Sequence, residues 1–228
     1  MIEFIFMLTH HDRTIPDAPA VLASLRDAGL YDAGLRYVGF KDVGADPQRQ
    51  RELAGLAHHA GFEVMLEVVS TSAEAEAASV RAAVGAGVDW VLGGTQVDSG
   101  ERLLTGSAVR YCPFPGRVVD HPSILEGSIE EIAADAKDMT ARPGVYGVDL
   151  LAYRHRAVDP IELTRAVVAA SAGPVIAAGS VVGADQIRGL AGAGAWGFTI
   201  GSAIFEGLLP GGPDVVGQVR AVLDVSAA

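Results

Sequence analysis

The sequence has a single cysteine, Cys112, which excludes an intramolecular disulfide and any zinc site built from several thiolates, and suits a reducing cytoplasm. It has two lysines against fifteen arginines, a formal net charge of −11, and no basic cluster. Binding to nucleic acid or to an anionic membrane depends on clustered Lys and Arg, so neither partner is expected. The N-terminal MIEFIFML lacks a basic flank and a small-residue cleavage site, and its apolar run is too brief to span a bilayer. It reads as a strand that starts at once, and a cytoplasmic protein is expected. No G-x-G-x-x-G follows it, so strand one carries no dinucleotide fingerprint. No linker or low-complexity stretch offers a domain boundary, and 228 residues, half of them hydrophobic and 28 of them glycine, can bury one sizeable core. A single domain over 1–228 is expected.

What is present is an alternation. Short β-type runs at 2–9, 37–43, 62–69, 89–92, 110–114, 145–151, 175–178 and 198–200 are separated by helical segments. Helices are expected over about 18–30, from the Asp46-Pro47 start, from a Thr71/Glu74 capping box, near 101–105, from a Ser128/Glu131 capping box and from Pro160. A further helix separates the last two strands, and Val215, Val219, Val222 and Leu223 mark a closing one. Glycine-ended joints, HAG-F, GAG-V and GAG-A, precede strands three, four and eight like a repeated βα unit. The stretch 115–127, PGRVVDHPSILEG, reads as a long loop of the kind that covers an active site. Eight strand–helix units predict an α/β fold of the (β/α)8 TIM barrel kind rather than an open doubly wound sheet.

The last two strands each end in a Gly-Ser pair, Gly179-Ser180 and Gly201-Ser202. Glycine lets the backbone turn tightly and approach a ligand, serine adds a hydroxyl, and a helix starting just after each pair would aim its first N–H groups at the same anion. Barrels commonly build phosphate sites from the loops after strands seven and eight. With VIAAGSV, a helix ending in AGAGA, and FTIGSAIF, the last quarter resembles the ribulose-phosphate-binding barrel superfamily. That group includes sugar isomerases of histidine and tryptophan biosynthesis, indole-glycerol-phosphate synthase, pentose-phosphate epimerase and thiamine-phosphate synthase. The resemblance implies that Gly179, Ser180, Gly201 and Ser202 grip a substrate phosphate; flavin-binding barrels share the motif. The whole chain also resembles a set of small proteins described as 4-hydroxythreonine-4-phosphate dehydrogenases. It shows neither the dinucleotide fingerprint nor the three-histidine metal arrangement that such a hydride transfer would use.

Barrel active sites lie at the C-terminal ends of strands, which selects the remaining candidates. In a chain so poor in lysine, Lys41 in YVGFKDV at the end of strand two stands out. Neutral, it could form a Schiff base; as an ammonium it could stabilise an oxyanion, or simply pair with Asp42. A lysine at a comparable position is similar to that of the Schiff-base barrel enzyme that makes furan phosphates from triose phosphates. Glu67, between Leu66 and Val68, either balances Lys41 or acts as a general base with a raised pKa. Asp149 within strand six either bridges to a basic residue or reacts. The strand-one exit supplies His10, His11, Asp12 and Arg13, with His10 the acid–base candidate, and the strand-six exit supplies Tyr153 and Arg154 as ligand contacts and His155 as acid or base. Gln96, ending strand four, is a further substrate contact, and His121 could close over the site. His58, His59 and Cys112 read as surface, packing and strand residues.

With Glu67 the exit-loop residues could form a divalent-metal site, but no fixed ligand spacing supports one, and neither metal nor cofactor is expected. Strand five, RYCPFPG, has no carboxylate where the sugar isomerases hold an acid or base; the epimerase's paired histidines and aspartates and the decarboxylase run D-x-K-x-x-D are absent too. Three readings remain: an isomerase or aldolase (lyase) acting on a phosphosugar or small phosphorylated carbonyl compound, a flavin-binding oxidoreductase barrel, and a noncatalytic phosphate-ligand-binding barrel. The expected partner is a small phosphorylated substrate, and the sequence allows a homo-oligomer.

Overall fold

The apolar runs form eight parallel strands in a computed structural model that describes residues 1–227: β1 (Glu3–Met7), β2 (Tyr37–Lys41), β3 (Glu63–Val68), β4 (Trp90–Gly93), β5 (Arg110–Cys112), β6 (Val148–Leu150), β7 (Val175–Ala177) and β8 (Gly197–Ile200). They pair in the order β6-β7-β8-β1-β2-β3-β4-β5. Backbone bonds from Asp149 N to the Pro113 carbonyl (2.9 Å) and from Tyr146 N to the Tyr111 carbonyl (2.8 Å) bridge the remaining seam, so the sheet closes nearly completely. Strand side chains alternate between two faces. Ile5, Met7, Met65, Leu92, Cys112 and Ile176 fill the interior, while Phe4, Phe6, Val38, Phe40, Val64 and Leu66 belong to the layer packed under the helices. Full burial of such a side chain contributes about 1.5–3 kcal/mol.

The helices are α1 (Ala18–Asp27), α2 (Pro47–His59), α3 (Ala73–Ala86), α4 (Val97–Leu104), α5 (Ile129–Thr140), α6 (Pro160–Ala170), α7 (Ala184–Ala193), α8 (Ser202–Phe205) and α9 (Val215–Ala227). Asp46 caps α2 by accepting from Arg49 N at 2.8 Å, and Ser128 with Glu131 forms a reciprocal capping box on α5. The cap of α3 falls one residue later than the expected Thr71/Glu74 box: Ser72 accepts from Ala75 N. Helix α4 starts earlier than expected because the buried Glu76 carboxylate takes the N–H groups of Thr95 (2.9 Å) and Gln96 (2.7 Å) and fixes the exit of β4.

Two exits expected as loops contain hairpins. Thr9–His10 pairs with Arg13–Thr14, and Arg117–Val119 pairs with Ile124–Glu126 inside the stretch read as a long loop. Strands of two or three residues are too short for alternation to show. Helix α7 begins at Ala184, five residues beyond Gly179, so only the second Gly-Ser pair opens directly into a helix.

The N-terminal end of the barrel is plugged. Trp90 stacks on Trp196 with ring centroids 5.3 Å apart, and Tyr37 meets both rings edge-on. Glu63 accepts from Trp90 Nε1 (2.9 Å) and Arg110 Nη1 (2.6 Å), and the Arg110 guanidinium lies 4.7 Å above the Trp90 ring centre. Among the described residues no helix is long and apolar enough to cross a membrane.

Candidate active site

At the opposite end, the register of β2 against β3 sets Lys41 directly beside Glu67. Both side chains are buried, and Lys41 Nζ lies 3.4 Å from Glu67 Oε2. A second carboxylate completes the group: Lys41 Nζ also donates to Asp12, which accepts from Arg154 Nη2 at 3.0 Å. The hairpin after β1 delivers Asp12. Its turn residues His11 (φ 47°) and Asp12 (φ 62°) both hold left-handed backbone, a conformation that costs a non-glycine residue about 1–3 kcal/mol. Thr14 of the same hairpin clamps Lys41 through its hydroxyl, which accepts from Lys41 N (2.9 Å) and donates to the Lys41 carbonyl (2.8 Å). Asp42, considered as a partner for Lys41, instead takes Val69 N (3.0 Å) and the hydroxyls of Ser70 and Ser79.

Electrostatics divides the three charged groups. Burial alone would pull the Lys41 pKa down, but the Glu67 and Asp12 carboxylates outweigh it and raise it, so Lys41 is held as an ammonium. Burial would raise Asp12, yet Lys41 and Arg154 overcome it and keep the carboxyl below its usual range. Glu67 goes the other way: complete burial, together with the Asp12 charge, pushes its carboxyl up against the pull of Lys41. Lys41 with Asp12 is therefore the pair whose shifts both favour the charged forms, whereas burial favours the protonated form of Glu67.

These groups line a cavity of about 230 Å³ whose other wall is Gly179, Ser180, Gly201 and Ser202. Gly179 (φ 77°) and Ser180 (φ 58°) are successive left-handed residues, and no backbone acceptor among the described residues takes the N–H of Gly179, Ser180 or Val181. A turn with successive free amides is an anion-binding concavity. At Gly179 an added Cβ would sit 2.6 Å from Arg154 Nε, and at Gly201 one would overlap Thr9 Oγ1, so each glycine allows a close approach that no other residue could make. Arg154 Nε is buried and has no hydrogen-bond partner among the described residues. Helix α8 has only four residues, so the positive groups facing the cavity are Arg154, Lys41 and the turn amides rather than a helix dipole.

The remaining candidates are placed elsewhere. Asp149 is completely buried but does not line the cavity, and neither carboxylate oxygen has a partner among the described residues, so it bridges to no basic group. Burial, and then the charge of Glu67, pushes its carboxyl well up. His155 Nδ1 accepts from Ala157 N (3.1 Å) and Val158 N (3.2 Å), which leaves Nε2 to donate to the Gly127 carbonyl at 2.8 Å. Both nitrogens are committed to folding the loop, away from the cavity. Tyr153 packs against the core, and Gln96 sits beside a different depression at the start of α4. His10 is at the rim, 3.3 Å from Glu206, and His121 Nδ1 approaches Asp12 at 3.8 Å. His58 bonds Asp89 at 2.7 Å, and Cys112 is a fully buried strand residue. Asp12 is the central residue that the sequence did not single out from its exit loop.

Three solved structures share this architecture over nearly the whole chain. The first, described as native KDPGal, has a TM-score of 0.67 at 16% identity, covering 98% of this chain and 94% of that one. Orotidine 5'-phosphate decarboxylase from Pyrococcus horikoshii gives 0.65 at 16% identity, covering 98% and 99%. The tryptophan synthase alpha-subunit (E74A) from Pyrococcus furiosus gives 0.66 at 14% identity, covering 99% and 97%. The fold is a (β/α)8 barrel. Identity at this level speaks to architecture alone, and the chemistry has to come from the side chains. No family model matches the sequence, and no curated protein matches it in sequence.

Proposed function

We propose that the chain is an enzyme of the ribulose-phosphate-binding barrel type that enolises a small phosphorylated carbonyl compound, such as a phosphosugar, as an isomerase or aldolase. The observation that carries this reading is the buried Lys41–Glu67 contact on the floor of a cavity whose far wall is the pair of Gly-Ser turns. The turns and Arg154 would hold the phosphate, and the carbonyl end of the substrate would then reach Lys41. Glu67, with its raised pKa, takes the proton from the carbon next to the carbonyl, and the Lys41 ammonium stabilises the negative oxygen of the enediolate. Returning the proton to the neighbouring carbon, while the hydroxyl proton passes from one enediolate oxygen to the other, completes an isomerisation. In a longer substrate Glu67 would instead take the proton of the hydroxyl on the β-carbon; the bond between the α- and β-carbons then breaks, the β-carbon leaves as an aldehyde, and the electron pair stays behind as the same enediolate.

The raised Lys41 pKa favours the ammonium role over a Schiff base, which needs a neutral amine. Borohydride trapping during turnover distinguishes the two. Turnover with no adduct on Lys41 is the expected result, and a reduced adduct there would move the mechanism to the Schiff base. Lys41→Met with full turnover on the true substrate would sink both. A phosphorylated ligand recovered by mass spectrometry from the purified protein would name the substrate directly.

A further inference from the structure

We propose that His10, His11 and Glu206 form a divalent transition-metal site at the rim of the cavity, and that the bound ion offers an open position to the substrate phosphate. The second half of this proposal rests on the phosphate reading above; the first does not. The sequence gives no ligand spacing for it, because the fold brings Glu206 to His10 from 196 residues away.

Ligand atoms of the three residues lie within 4.8 Å of one another. His10 Nε2 and Glu206 Oε1 are 3.3 Å apart, close to the edge of a tetrahedron whose metal–ligand bonds are about 2.1 Å. The His10 and His11 rings face each other with centroids 3.8 Å apart, an arrangement imposed by the left-handed turn at His11 and Asp12. The group is tied to the second Gly-Ser turn from both sides. His11 N donates to Ser202 Oγ at 3.2 Å, and Glu206 closes the short helix that Ser202 opens.

Charge supplies the second line of argument. Three carboxylates, Asp12, Glu67 and Glu206, line the cavity against two cations, Lys41 and Arg154. A phosphate dianion entering there would meet the Glu206 carboxylate on the same wall as the turns built to receive it. A divalent ion held on Glu206 reverses the sign of that wall. Two imidazoles and one carboxylate suit Zn²⁺, Co²⁺ or Ni²⁺ better than Mg²⁺ or Ca²⁺, and three protein ligands leave a coordination position free.

The test uses untagged protein stripped with a chelator. Co²⁺ is followed by visible absorbance and Ni²⁺ by calorimetry. One ion per chain is expected, with affinity lowered at least roughly 10-fold in His11→Ala and in Glu206→Gln, since even outer-shell partners are worth that much. Thermal unfolding of each variant confirms that it is folded. Inorganic phosphate is then titrated into the metal-free and Co²⁺-loaded forms; tighter binding to the loaded form, lost in Glu206→Gln, is expected. No stoichiometric ion, or binding unchanged in both variants, overturns the site. An ion bound there with phosphate affinity unchanged overturns its bridging role. Phosphate that binds neither form overturns the phosphate assignment and the bridging role together, while the ion titration alone decides the site.

Discussion

Arg154 Nη2 donates to Asp12 Oδ1 at 3.0 Å, joining the exits of β6 and β1 across 142 residues of chain. The same carboxylate holds Lys41, so one buried anion positions both cations of the cavity. Removing it leaves the partly buried Arg154 guanidinium beside the buried Lys41 ammonium, with Glu67 as the remaining carboxylate against Lys41. Asp12→Ala is therefore expected to lose about 3–5 kcal/mol of stability at neutral pH, read from the denaturant midpoint. Because the folded Asp12 pKa is depressed, its contribution is present above the unfolded value of about 3.9 and lost as pH falls through the folded one. Wild type and variant should converge in acid. A variant as stable as wild type at pH 7 would remove Asp12 from its central position.

Glu67→Gln keeps the shape of the side chain and loses the proton acceptor. Turnover and exchange of the substrate α-proton with deuterated solvent should both fall about 10²–10⁴-fold, the usual range for a general base. Exchange at the wild-type rate would assign proton abstraction to another group.

Gly179→Ala forces a Cβ into left-handed backbone and to within 2.6 Å of Arg154 Nε. A stability loss of about 1–2 kcal/mol and phosphate binding weaker by roughly 10-fold are expected. Gly192→Ala is the control, since a Cβ there meets nothing within 4 Å and an exposed helical glycine gains about 0.5–1 kcal/mol from the change. Equal behaviour of the two variants would break the link between Gly179 and the anion site.

Asp149→Asn isolates a titration. The folded pKa of Asp149 is raised, so between the ordinary carboxyl range and that value the native state binds more protons than the unfolded one, and wild-type stability falls as pH rises. The asparagine variant has no proton to lose. Its unfolding temperature relative to wild type should be higher at pH 8 than at pH 4.5, by an amount on the order of 1–3 kcal/mol, or about 2–4 °C per kcal/mol in a chain of this size. The comparison between the two pH values cancels the cost of burying an amide. An offset independent of pH would show that Asp149 ionises as readily in the native state as in the unfolded one.

His155→Ala deletes one donated and two accepted hydrogen bonds. A stability loss of about 1–3 kcal/mol with turnover within about twofold is expected. A collapse of turnover without loss of stability would return His155 to the active site.

The barrel was legible because it depends on repeated local signals: apolar runs, glycine-ended joints and caps at Asp46 and Ser128. Lys41 and Glu67 were legible for a related reason, since charged residues at the end of a buried strand must find each other or face a cavity. Asp12 could not be separated from its neighbours, because its direction depends on a left-handed turn that His11 and Asp12 adopt against their preference. His155 and Tyr153 follow the correct strand, but the tight turn Ala152–Arg154 sends only Arg154 into the cavity. The hairpin within 115–127 was hidden by the shortness of its strands.

The plug of Trp90 against Trp196 has a practical consequence for anyone assaying this protein. These are the chain's only tryptophans, and both lie at the closed end, with the full length of the strands between them and the cavity. Indole emission will therefore follow unfolding of the whole barrel while remaining insensitive to occupancy of the mouth. Ligand screens by intrinsic fluorescence would return false negatives, and a reporter introduced on the hairpin after β5 would stand on the correct side of the molecule.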